Sequence, residues 1–233
     1  MSKLNAKYTG ESFFKLAASE YSRAQEMEKE RPDDEVGIAS AWGVSAIMFW
    51  NALNLGYDKA ALALFKCFTQ GVGVKKNDEA NSYVAKLMYG VALKLGDSKC
   101  DDVLTEDVPQ IPQEMESQIA AVAKLVKDTR AGMPKGDFSP RQINEQIEIF
   151  DKAITLPGNK SLTDCFITPQ DIQENLKNSD DSESPLSGSS SGSDHDGNAG
   201  DFHHNQHGVE HAVKLAGEAH HDTPLCPSKC VLL

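Results

Sequence analysis

One internal echo restricts this chain more than anything else in it. Ala52-Leu53-Asn54-Leu55-Gly56-Tyr57-Asp58-Lys59 returns as Ala92-Leu93-Lys94-Leu95-Gly96-Asp97-Ser98-Lys99, and Val44/Val84, Met48/Met88 and Phe49/Tyr89 keep the same spacing of 40 residues. A period of this size is the mark of stacked helix pairs, because each pair can bury its apolar face only against its neighbours. The expected fold class is therefore all-α. The expected architecture is a short helical-repeat solenoid with capping helices and a disordered C-terminal tail. A plain helical bundle with a chance echo is the alternative.

Periodicity places the helices. Phe13, Phe14, Ala17, Tyr21 and Ala24 recur at helical spacing over 11–30, and Pro32 ends that run. Asp33 and Asp34 stand where a cap belongs, ahead of a second helix of about 20 residues that stops near Leu55-Gly56. Ala60 to Gln70 is a third amphipathic stretch. Val36 through Tyr57 carries no charge and is long enough to cross a bilayer, but Gly37, Ser40, Gly43, Ser45, Asn51 and Asn54 interrupt it. It reads as a buried helix. Two further helices are expected at 113–131, burying Ile119, Val122, Ala123 and Val126, and at 139–156, with Ser139-Pro140 as cap and first-turn proline ahead of Ile143, Ile147, Phe150 and Ile154. Thr168-Pro169 opens a short last helix ending near Lys177.

The turn after the third helix, Gly71-Val72-Gly73-Val74, and the residues around it resemble a known family. Gly71, Gly73 and Val74 followed by Ala80 and Tyr83, together with Ala39-x-x-Trp42-x-x-x-Ala46 in the earlier copy, are similar to the Sel-one-like repeats, a branch of the tetratricopeptide-like solenoids. Phe65 stands where that family has glycine and Leu87 where it has alanine. The resemblance covers roughly 11–100 and implies protein–protein binding on a helical surface, with no catalytic residue to carry over. The chain divides accordingly into helical repeats at 9–100, additional helices capping the solenoid at 101–177, an acidic Ser/Gly-rich linker at 178–202, a His-rich stalk at 203–229, and a terminal box at 230–233.

That box, Cys230-Val231-Leu232-Leu233, has the pattern of a prenylation signal, in which Val231, Leu232 and Leu233 are read by the enzyme and a terminal leucine favours geranylgeranyl. With Ser228-Lys229 before it, it resembles the tails of Ras-type small GTPases, although no phosphate-binding Gly-x-x-x-x-Gly-Lys-Ser/Thr loop is present. One lipid gives marginal membrane binding, so a second signal is expected. A basic patch does not supply it: residues 178–233 hold two lysines against nine acids. Cys226 is the candidate for a palmitoyl chain. From Asn178 to Asp201 apolar residues are almost absent, which predicts disorder. Treated as flexible, residues 178–229 reach about 40 Å.

All seven histidines lie between 195 and 221. His203, His207 and His211 would share a face if that segment were helical, a weak metal site against the simpler reading of a solvated spacer. His207-Gly208-Val209-Glu210-His211 fits the pattern of inverted zinc proteases, but a tail supplies neither a third ligand nor a dry cavity. With no histidine before 195, a Cys–His nucleophile pair inside the body is impossible. Five cysteines at scattered positions make no disulfide framework, and a net charge of −12 argues against nucleic acid as a partner. The N-terminus has no secretory apolar stretch.

The expectation is therefore a protein that is not an enzyme and needs no cofactor. It is a membrane-tethered adaptor that binds a host protein, is geranylgeranylated at Cys230 by host geranylgeranyltransferase type I, and sits on the cytoplasmic face of a host membrane. Sel-one-like repeats are common in bacteria and prenylation is eukaryotic, so the combination resembles a secreted effector of an intracellular bacterial pathogen. An untethered helical scaffold, or an enzyme with an unfamiliar site in 101–177, are the alternatives.

Overall fold

The chain is described by a computed structural model covering residues 8–103, 108–132 and 138–180. Among these residues it is all-α. Seven α-helices follow in order: α1 Gly10–Glu30, α2 Glu35–Asn54, α3 Ala60–Gln70, α4 Asp78–Leu95, α5 Glu116–Gly132, α6 Pro140–Ala153 and α7 Pro169–Asp180. No strand occurs among the described residues, and the one β-like contact there is an isolated antiparallel bridge between Val74 and Phe166.

The helix starts lie where the sequence carries its caps. Thr9 and Ser139 close reciprocal capping boxes with Ser12 and Gln142, and the Asp34 and Asn77 side chains accept from Gly37 N and Ala80 N. The stops explain part of the echo. At the end of α2, Gly56 N donates to Leu53 O and Tyr57 N to Ala52 O; at the end of α4, Gly96 N donates to Leu93 O and Asp97 N to Ala92 O. Both glycines are left-handed, at φ 79° and 80°. The repeated Ala-Leu-x-Leu-Gly is thus one helix-terminating motif used twice.

Helix α2 organises the molecule. It packs on α1, α3, α5, α6 and α7, whereas α3 packs on α4 and α4 on α5. Its apolar window has a mean hydropathy of 1.4 and is 67% buried within the protein. A helix that is hydrophobic on all sides suits a position surrounded by other helices. Ala41, Ala46, Phe49, Trp50 and Leu53, which point to different sides of it, are all at or near zero exposure.

The hairpins α1/α2 and α3/α4 stack in succession and α5 lies beside α4, while α6 and α7 return to α2. The chain from Phe138 onward therefore covers a face of the first two hairpins rather than only an end. One continuous core joins Phe13 to Phe166 through Trp50, Leu64, Leu87, Val122 and Phe150, with members on both sides of residue 100. Helix α7 runs to Asp180, three residues beyond the expected stop at Lys177. The remainder of the 178–202 linker, the 203–229 stalk and the 230–233 box lie outside the described residues.

Candidate functional site

The repeat turn is built by close backbone approach. Gly71 ends α3 in the left-handed region. Gly73, at φ 71°, passes so near α2 that a Cβ there would lie 2.2 Å from Trp42 O and 2.8 Å from the Cβ of Ala46. Only glycine fits, both by conformation and by space. Val74 then turns into the core at 3% exposure. Of the other residues in the resemblance, Ala46 and Ala80 are buried, Tyr83 Oη donates to Gln118 Oε1 at 2.7 Å, and Trp42 Nε1 donates to Glu28 Oε1 at 2.8 Å.

The free edge of this turn is occupied by the chain's own residues 165–167. Lys75 N donates to Cys165 O at 2.7 Å and Ile167 N to Gly73 O at 3.1 Å. Phe166 drops between Trp50 and Phe68, with ring centroids 6.4 and 5.7 Å away. An ion pair closes the clip, with Lys75 Nζ 2.8 Å from Asp171 Oδ1. Burial works to raise the Asp171 carboxyl, but the hydrogen bonds from Lys75 and Thr168, together with the Lys75 charge, hold it below the ordinary aspartate value.

Residues 36, 40, 43, 47, 50 and 54 form one stripe along α2, at alternating four- and three-residue steps, and most of it faces this returning segment. Val36 meets Ile172. A Cβ on Gly43 would lie 2.7 Å from Ile167 O. Trp50 meets Phe150 edge-on at 6.0 Å. The packing is incomplete: an apolar cleft of about 120 Å³ runs between Ser40, Ile47 and Met48 on one side and Ile167, Pro169 and Ile172 on the other. Trp50 Nε1 and both amide atoms of Asn54 are buried without a hydrogen-bond partner.

Open grooves also lie among the described residues. One, about 410 Å³, lies over α3 and α4, floored by Phe65, Phe68 and Ala85 and edged by Gln70, Asn81 and Lys86. Another, about 420 Å³, lies beside the end of α6 with Asp151, Lys152 and Lys160 around it. Among the described residues no three His, Cys, Asp or Glu side chains converge as a metal site. Cys67, Cys100 and Cys165 are free and buried. Burial pushes the Cys67 thiol up to about 12 and the Cys100 thiol to about 11, and raises Cys165 as well. At neutral pH these are packed thiols, since a thiolate is what reacts or binds metal.

Of the residues singled out from sequence, Gly71, Gly73 and Val74 come together as a structural turn. Cys226, Cys230, Val231, Leu232, Leu233, His203, His207 and His211 lie outside the described residues. The α2 stripe and the clip at 165–171 were not anticipated from the sequence. Because α2 is apolar on all sides, spacing alone does not single out the stripe. Compared with known proteins, the chain matches no family model, no curated protein and no solved structure.

Proposed function

We propose that this protein is a membrane-tethered adaptor: a helical body that binds a protein partner, carried on an acidic stalk and anchored by a geranylgeranyl group on Cys230. The observation that carries this reading is the sequence Cys230-Val231-Leu232-Leu233, which presents a thiol, two aliphatic positions and a leucine in the order type I geranylgeranyltransferase reads. Cys226 supplies the second acyl chain, because the acidic stalk offers an anionic leaflet no electrostatic attraction. A host-lipidated bacterial effector is the source that best combines such a tail with Sel-one-like features.

The test is expression in mammalian cells with an N-terminal tag and a clickable geranylgeranyl precursor, beside Cys230→Ser and Cys226→Ser. Because Cys67, Cys100 and Cys165 are buried in the body, thioether label reports on the tail. Label and membrane association in the wild type, both lost in Cys230→Ser, support the reading. Label retained with membrane association lost in Cys226→Ser assigns the second lipid. An unlabelled, cytosolic wild type overturns the tether and leaves a helical scaffold.

A further inference from the structure

The α2 stripe Val36-Ser40-Gly43-Ile47-Trp50-Asn54 is less well matched than the face of this helix that packs on α1. On the side facing α1, the buried Ser45 hydroxyl donates to Ala17 O at 2.9 Å, Phe49 meets Phe14 at 5.3 Å, and Trp42 meets Tyr21 at 4.6 Å. There the polar atoms are paired and the rings are in contact. Along the stripe, by contrast, Trp50 is 1% exposed and Asn54 is fully buried, yet the indole N–H and the amide have no partner. Buried polar groups in folded proteins are nearly always hydrogen-bonded, and one without a protein partner favours any state that exposes it to solvent. The 120 Å³ cleft against Ile167 and Ile172 is a second, separate mismatch in the same seam.

We propose that residues 138–180 are a hatch on α2, which opens as one unit while α1 to α5 stay folded. Among the described residues, polar attachments join it to the rest of the body at several points. Phe138 N donates to Tyr8 O, two backbone bonds join 165–167 to the repeat turn, and Lys75 pairs with Asp171. From α5, Gln118 Nε2 donates to Thr155 O and Thr129 Oγ1 to Gln146 Oε1, at 3.3 and 3.4 Å. Phe150 and Phe166, packed on Trp50, hold the hatch shut, so the open form is a minor one. Opening hydrates Trp50 Nε1 and bares the apolar stripe from Val36 to Trp50. Under the adaptor reading this movement presents α2 to a partner; that use rests on the reading, and the movement does not.

Native-state hydrogen exchange on the full, unlipidated chain tests it. Amides of α6 and α7 are expected to exchange together, through one shared opening, on the order of tenfold or more faster than the slowest amides of α2 and α4. Gly43→Ala drives a Cβ against Ile167 O while keeping α2 helical, since alanine is the stronger helix former. It is expected to speed exchange in 138–180 further and leave α3 and α4 unchanged. The hatch is overturned if α6 and α7 exchange no faster than α2 and α4 in the wild type, which decides the matter even if the variant folds poorly. It is also overturned if Gly43→Ala speeds all helices equally. Failed lipid labelling would remove the tether and leave this exchange pattern untouched.

Discussion

Gly73 shows how a single residue carries tertiary information. Its left-handed φ suits glycine in any turn, but the atom that a side-chain carbon would strike, Trp42 O at 2.2 Å, belongs to α2, a whole helix upstream. The two requirements act together, so Gly73→Ala is expected to cost about 3 kcal/mol or more, at or beyond the top of the ordinary range of about 1–3 kcal/mol for a strained backbone position. Chemical denaturation followed by helical circular dichroism reads this directly. A loss under ~1 kcal/mol would mean that the turn relaxes away from α2. Asn54 is the opposite case. In the sequence it is one of the polar residues interrupting an apolar run, and the fold buries it without a hydrogen-bond partner.

At the scale of elements, the clip between the repeat turn and α7 has a definite pH signature. The Asp171 carboxyl is held below its ordinary value of 3.8. A depressed folded-state value means that its stabilisation is complete above 3.8 and fades as pH falls through the lower folded value. The pair is partly exposed, so its worth at neutral pH is about 0.2–1 kcal/mol. Lys75→Met is expected to be less stable than the wild type by that amount at pH 7. The gap should close once Asp171 is protonated in both proteins. A gap that persists unchanged to about pH 2 would assign the effect to the lysine's packing instead. The helices themselves were legible element by element, since caps and periodicity are local: Asp34, Ser139-Pro140 and Thr168-Pro169 stand at their starts. The return of α6 and α7 to α2 was not legible, because nothing near Phe166 in the chain announces Trp50 as its partner.

For the whole molecule, one large core from Phe13 to Phe166 ties the first two hairpins to α5 as well as to residues 138–180, and a chain cut after α4 loses both. A chain ending at residue 103 would expose the faces that Val122, Phe150 and Phe166 cover, Trp50 among them. Each large aromatic lost from such a core costs ~3–5 kcal/mol, comparable with the whole stability of a domain. The fragment is expected to show no cooperative thermal transition, whereas a chain ending at 180 retains one. A cooperative transition in the shorter fragment would show that the repeats at 9–100 fold as an independent unit. The sequence division at residue 100 marks where the period ends, and the core continues across it.

By itself, the sequence determined the all-α class and the approximate helix positions, because these follow from periodicity, capping residues and glycine, which act over a few neighbouring positions. It also supplied the terminal Cys-Val-Leu-Leu, on which the proposed tether depends. Only the tertiary structure decided that α2 lies at the centre and that residues 165–167 complete the repeat turn. Those contacts join residues far apart in the chain, such as Gly43 with Ile167 and Trp50 with Phe166. They depend on shape and on the direction in which the chain turns back, neither of which is encoded in a local pattern.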